Sequence, residues 1–233
     1  MQNGRFSWEE LLDYFGVCEI AAMHGQDQID AAHEFADCEV YPLKSSIGTD
    51  TGVVIITDTK FIWSIDGSST TKEWLGNVFG ATKSKQGFHS NFEAVAQAMF
   101  VQIWKLLLKN LHKTIISADH SRGYGIATKI TLMMMTRLLL RNRYETMKNM
   151  FTIGYGGAMA MTKQAMRDYS WALNDYNVFH LVEGYMDFIP ELGLWWQGFR
   201  KFCNQHYKCG TQMFGLDHTS YRPMLERKVK ETK

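Results

Sequence analysis

Ser121 stands in the run Ala118-Asp119-His120-Ser121-Arg122-Gly123-Tyr124-Gly125, between a β-branched stretch and a helical one. A serine in a sharp strand-to-helix turn is placed for nucleophilic chemistry. Its hydroxyl is held above the end of a sheet, the following backbone N–H faces a developing oxyanion, and the helix N-terminus lends partial positive charge. Such a turn asks for small residues two before and two after the serine, because strand and helix backbones approach closely there. Gly123 meets the second requirement, whereas Asp119 stands at the first and brings bulk and a carboxyl group beside the hydroxyl. The guanidinium of Arg122 is in reach of Asp119 or of an anionic substrate. Taken alone, a serine near a glycine in a βα loop is usually just a helix cap. A second constellation, Cys203-x-x-His206-x-x-Cys209, carries zinc-type ligands, but a tight zinc site takes four and no fourth stands nearby in sequence. It reads as two semi-buried thiols around an exposed histidine, and no metal is expected. With Cys18 and Cys38 the cysteines number 4, too few and too scattered for a disulfide scaffold.

The elements that must hold Ser121 follow from hydrophobic spacing. Trp8, Leu11, Leu12 and Phe15 recur at helical intervals behind Ser7, an N-cap completed as a capping box by Glu10, and a second helix is expected over Gln26 to Phe35. Val53 to Thr57 and Lys60 to Ile65 are β-branched or aromatic runs joined by Asp58-Thr59, an antiparallel hairpin. A helix over Asn91 to Leu111, a strand over Thr114 to Ala118 and a helix over Gly125 to Arg143 come next. Strands at Met150 to Ile153 and Val178 to Val182 flank a helical stretch from Thr162 to Leu173. This alternation predicts an α/β domain with a mainly parallel central sheet, an antiparallel N-terminal edge and helices on both faces. One domain is expected over residues 1–233, with a helical N-terminal extension over about 1–48, and Glu226 to Lys233 reads as a solvated tail.

Composition narrows the function classes. The 233 residues carry 25 basic and 24 acidic side chains, a formal net charge of +1, which leaves no electrostatic footprint for nucleic acid. With 45% hydrophobic and 13% aromatic residues the chain is too apolar for disorder. The most apolar stretch, Ile130 to Leu140, is interrupted by Arg137 and is too short for a bilayer span of about 20 residues. The N-terminus has no apolar core followed by a small-residue cleavage site, so no secretory signal and an intracellular setting are expected.

The neighbours of the serine turn fall in a further order, and with them the chain resembles the class 3 lipases, the fungal-type triacylglycerol lipase family of α/β-hydrolases. His120-Ser121-x-Gly123 is similar to that family's Gly-His-Ser-Leu-Gly-Gly elbow. Phe61 to Asp66 followed by Gly67-Ser68-Ser69, with Glu73-Trp74-Leu75, is similar to its apolar strand, Arg-Gly-Thr or Arg-Gly-Ser turn and Asp/Asn-Trp segment. Gly87-Phe88-His89-Ser90-Asn91-Phe92 is similar to its Val-His-x-Gly-Phe helix start. Phe151-Thr-Ile-Gly154 resembles its Thr-Phe-Gly strand end, and Asp187-Phe-Ile-Pro190 its Asp-x-Val-Pro. Asp217-His218-x-x-Tyr221 resembles its terminal His-x-x-Tyr region. Three positions depart from the pattern: Asp119 for glycine, Arg122 for leucine and Asp66 for arginine.

The resemblance implies an α/β-hydrolase fold and a serine hydrolase acting on carboxylic esters, of lipids in particular. It implies Ser121 as nucleophile, Asp187 as the carboxylate that orients the imidazole, and His218 as general base and acid, in the chain order such a hydrolase requires. It further implies an oxyanion hole from the backbone N–H groups of Arg122 and Ser68. The segment around Trp74, Leu75, Val78 and Phe79 takes the place of an amphipathic lid, the same residues also suiting a helix packed permanently on the core. Trp195-Trp196 suit an acyl groove or the filling of an irregular loop. No cofactor is expected, and the implied partners are an ester or lipid substrate and a transient lipid surface. A hydrolase fold that has lost its chemistry and serves as a binding module is the alternative.

Overall fold

The computed structural model describes residues 6–47, 51–67, 82–184, 187, 197–209 and 221–232. The chain opens with two helices, α1 (Trp8–Ala21) and α2 (Gly25–Phe35), followed by strands β1 (Glu39–Lys44), β2 (Thr51–Ile56) and β3 (Lys60–Ile65). After α3 (Ser90–Leu107) come β4 (Thr114–His120), α4 (Arg122–Leu139), α5 (Tyr144–Lys148) and β5 (Met150–Tyr155). Then follow β6 (Met161–Thr162), α6 (Lys163–Asp168), α7 (Ser170–Asn174), β7 (Phe179–Gly184), β8 (Phe199–Arg200), β9 (Gln205–Cys209) and α8 (Tyr221–Thr232).

Seven strands form one sheet in the order β1-β2-β3-β4-β5-β7-β9, and β6 pairs with β8 in a small separate ribbon. β2 is antiparallel to both β1 and β3, and from β3 to β9 every neighbour is parallel. The expected antiparallel edge on a parallel sheet is thus present. The carboxyl ends of β3, β4, β5, β7 and β9 therefore share one edge of the sheet, where open α/β sheets place their ligands.

Burial on both faces explains why the inner strands read as continuous apolar runs. Val54, Ile56, Phe61, Trp63 and Ile65 face a core built with α3 and α4. Val53, Ile55, Ile62, Ile116 and Ala118 face the opposite way, onto α1 and α8. The period-2 alternation of a strand sends neighbouring residues of each run to different cores. The capping box at α1 forms as expected, Ser7 Oγ accepting from the Glu10 N–H at 3.1 Å and the Ser7 N–H donating to Glu10 Oε2 at 2.8 Å. Met134 and Met135 are core residues.

Three readings are corrected. Residues 39–44, inside the stretch expected to be a helical extension, form the outermost strand β1, where Pro42 is tolerated because no neighbour needs its missing N–H on the open side. The segment from Thr162 to Leu173 is two short helices with a break at Tyr169 rather than one. Residues 226–232 are solvated as expected but helical rather than a loose tail: they continue α8, whose first turns bury Tyr221, Met224 and Leu225. The Arg222 guanidinium ties that helix to Glu19 of α1, with Nε donating to Oε1 at 2.8 Å.

Candidate active site

Ser121 occupies the single residue between β4 and α4, with φ 53° and ψ −120°. A non-glycine residue at positive φ costs on the order of 1–3 kcal/mol and persists only where its surroundings hold it. Here the end of β5 does so. The Ser121 N–H donates to the Tyr155 carbonyl at 2.9 Å, and the Ser121 carbonyl accepts from the Ala158 N–H at 3.0 Å. The next residue, Arg122, opens α4, so its backbone N–H belongs to the first turn, which an α-helix leaves outside its own ladder. Sequence spacing called for a sharp strand-to-helix turn at this serine, and the backbone makes one.

The turn is packed against the end of β3. A Cβ on Gly123 would run into the Ile65 carbonyl oxygen, so only glycine fits there. Gly67 is held nearly as close, since a Cβ on it would lie 3.2 Å from the His120 carbonyl oxygen and 3.7 Å from Ser121 Cβ. The Asp66-Gly67 turn therefore abuts the candidate nucleophile. Asp119 does not pair with Arg122. It is fully buried, its Oδ1 accepts from the Ile65 N–H at 2.7 Å, and its Oδ2 is hydrogen-bonded to the Ser117 hydroxyl. Burial pushes its carboxyl well above the usual carboxylate range, against the opposing effect of those two hydrogen bonds.

Asp187 lies three residues beyond β7, on the same carboxyl edge, and is buried. Its Oδ2 accepts a 2.6 Å hydrogen bond from the Tyr221 hydroxyl, which in turn accepts from the Gly184 N–H at 3.2 Å. Burial, and then the negative charge of Asp187, push the Tyr221 phenol well above its ordinary value, so it stays a donor. The Tyr221 ring also meets the His120 ring edge-on, centroids 5.8 Å apart, and the Tyr155 ring at 6.2 Å. One side chain thus touches the residue before Ser121, the strand end that pins Ser121, and Asp187 itself.

One residue before Gly184, Glu183 is buried and takes two lysines and a histidine: Lys201, His206, and Lys208 at 2.8 Å. Burial would raise its carboxyl. The hydrogen bond from His206 and the charges of Lys201 and Lys208 outweigh that and hold it well below the usual range. The Cys203-His206-Cys209 constellation is absorbed here: Cys209 is buried in the sheet, Cys203 is half-buried, and His206 serves Glu183. No group of metal-ligating side chains occurs among the described residues. Nor does any described helix have the length and apolarity to cross a membrane.

Of the residues expected to act, Ser121, Arg122 and Asp187 take positions at one sheet edge. Ser68, His218, the lid residues Trp74, Leu75, Val78 and Phe79, and Trp195-Trp196 lie outside the described residues. Sequence reading missed the parts of Tyr155 and Glu183, and took Tyr221 only as motif context. Each acts across 18 or more residues of chain, which spacing does not reveal. His89, read as structural, is buried and stacks on Phe92 with ring centroids 4.0 Å apart.

Neither the family models nor the curated proteins contain a match to the chain. Solved structures do. Lipase II from Rhizopus niveus superposes with a TM-score of 0.70 over 91% of this chain and 82% of its own, at 15% identity. The Rhizomucor miehei triacylglyceride lipase gives 0.67 over 88% and 81%, at 16% identity. A triacylglycerol lipase described as having a serine protease triad at its catalytic centre gives 0.66 over 88% and 80%, at 14% identity. The chain therefore has the α/β-hydrolase fold, in the form taken by fungal triacylglycerol lipases.

Proposed function

We propose that the protein is a serine hydrolase that cleaves carboxylic esters, those of lipids in particular. The observation that carries the reading is the backbone of Ser121: a strained, non-glycine turn at the carboxyl end of a parallel strand, opening a helix. Strain of this kind concentrates at functional sites, and a helix cap has no need of it.

In this reading Ser121 Oγ attacks the ester carbonyl while His218 takes its proton. The tetrahedral oxyanion lies against the backbone N–H groups of Arg122 and Ser68, and each such donor contributes about 3 kcal/mol to the transition state. His218 then protonates the leaving alcohol. A water molecule, deprotonated by the same imidazole, releases the acid from Ser121. Asp187, oriented by Tyr221, fixes the imidazole tautomer and stabilises its charged form. Two features support the roles. β4 and β7 are separated by β5 alone, so Ser121 and Asp187 rise from strands about 10 Å apart, a gap that their side chains and one imidazole span. His218 stands three residues before Tyr221 in the sequence, and the Tyr221 hydroxyl donates to Asp187 Oδ2. The likeness in fold to lipases, one of them with a serine protease triad, supports the substrate class. Trp74, Leu75, Val78 and Phe79 belong to this proposal as an apolar lid, with a lipid surface as transient partner.

Turnover of soluble and aggregated esters of graded acyl length tests the reading. Ser121→Ala and His218→Ala are expected to lower kcat by about 10⁴-fold or more at unchanged fold. Activity surviving in Ser121→Ala refutes the mechanism. Absence of turnover in folded wild type leaves a binding module on a hydrolase fold. Rates that do not rise with substrate aggregation remove the lid.

A further inference from the structure

At the position where a nucleophile turn asks for glycine, this chain places a buried acid that bonds to another strand. The parallel register of β3 and β4 runs from Lys60↔Thr114 to Trp63↔Ser117 and stops there, two residues short of Ile65 and Asp119. The antiparallel side continues, with Ile65 opposite Gly52 and the Asp66 N–H donating to the Thr51 carbonyl at 3.0 Å. Hydrogen bonding alternates along an antiparallel pair, so the Ile65 peptide groups point away from β2, toward the nucleophile strand. Both are met by elbow residues. Asp119 Oδ1 takes the Ile65 N–H at 2.7 Å, and Gly123 lies flat against the Ile65 carbonyl. Side chain replaces ladder where the two strands splay.

We propose that Asp119 is a positioning residue: its carboxyl group clamps the Ile65 peptide to the nucleophile turn and thereby sets the Asp66-Gly67 segment, on the oxyanion side of the site, relative to Ser121. The role rests on the ester-hydrolase reading of Ser121. Gly67 follows Ile65 by two residues and lies where an added Cβ would meet Ser121 Cβ at 3.7 Å and the His120 carbonyl oxygen at 3.2 Å, so slack at Ile65 passes into the oxyanion side of the site. Burial favours the neutral form of Asp119, which sets no fixed negative charge against the oxyanion. The Ser117 hydroxyl on Oδ2 fixes the carboxyl rotamer, leaving Oδ1 aimed at Ile65. Asparagine reproduces this arrangement, with its carbonyl oxygen on Ile65 and its amide on Ser117; alanine does not.

The test compares Asp119→Asn and Asp119→Ala in the full chain, with a soluble short-chain ester as substrate. Asp119→Ala is expected to lose about 10- to 100-fold in kcat with KM within about twofold, the cost of a misplaced donor. Asp119→Asn is expected within about threefold of wild type, with a superimposable pH profile of kcat from about pH 5 to 9, because the clamp needs an acceptor and not a charge. Amide exchange at Ile65 should quicken by about tenfold or more in Asp119→Ala and stay slow in Asp119→Asn. Asp119→Leu, which fills the volume without an acceptor, provides the same contrast if the alanine variant does not fold. Full kcat in folded Asp119→Ala, or Asp119→Asn as impaired as alanine, overturns the proposal. If Ile65 exchange quickens while turnover is unchanged, the role in catalysis falls alone. A wild type without turnover removes that role together with the hydrolase reading, and Ile65 exchange still reports whether the clamp exists.

Discussion

Replacing Tyr221 by Phe removes one oxygen atom that holds two groups. The ring stays, fully buried among Phe15, His120 and Tyr155, so packing changes little. What is lost is the donor to Asp187 Oδ2 at 2.6 Å and the acceptor of the Gly184 N–H at 3.2 Å. A hydrogen bond to a charged group is worth about 1.5–3 kcal/mol, and a buried N–H left without an acceptor costs about 1–3 kcal/mol. The 3.2 Å bond is long, so the lower part of the summed range is expected, about 3 kcal/mol. That is a large share of a domain stability of about 5–15 kcal/mol. The assay is urea unfolding at neutral pH, followed by tryptophan fluorescence. Tyr144→Phe is the control: its exposed hydroxyl donates to Asn142 Oδ1 at 3.1 Å, and its loss should change stability by less than about 0.5 kcal/mol. If Tyr221→Phe is as harmless as Tyr144→Phe, the phenol does not support Asp187.

Two further predictions concern acid. His180 is buried, Nε2 donating to the Asn177 carbonyl at 3.0 Å and Nδ1 accepting from the Tyr207 hydroxyl at 3.2 Å, and burial pushes its pKa from 6.5 down to about 4. The unfolded chain takes up that proton first, so stability should fall as pH drops from about 6.5 to about 4, by about 3 kcal/mol in all, and this slope should vanish in His180→Gln. A wild-type stability that is flat over that window contradicts the neutral assignment. Glu183, held below its ordinary 4.5 by His206, Lys201 and Lys208, stabilises the fold above that value and stops doing so as pH falls below it. Glu183→Gln should cost about 3 kcal/mol at neutral pH, because the buried carboxylate that Lys201, His206 and Lys208 share loses its charge, and a thermal midpoint equal to wild type refutes this.

The parallel strands and the serine turn were legible because burial on both faces writes itself as β-branched runs, and because Ser121 and Gly123 fall at the junction of such a run with a helical one. The outermost strands were not. β9 reads Gln205-His206-Tyr207-Lys208-Cys209, exposed and half-buried by turns, and its polar members serve Glu183 on the neighbouring strand. β1 contains Pro42 and buries only Leu43. The charged end of α8 looked like a tail because the helix is anchored by its first turns alone, at Tyr221, Met224 and Leu225. At the site, sequence raised Asp119 as an obstacle to the elbow. Its partner is 54 residues away, and only the fold shows a hydrogen bond to Ile65 that the β3–β4 ladder fails to supply.

The claim that Ser121 is an activated nucleophile is tested most directly by treating the folded protein with an alkyl fluorophosphonate and mapping the adduct by mass spectrometry. One adduct on Ser121 is predicted, absent in Ser121→Ala and formed far more slowly in His218→Ala. Folded wild-type protein that takes no adduct between neutral and alkaline pH, or takes it on another residue, contradicts the account.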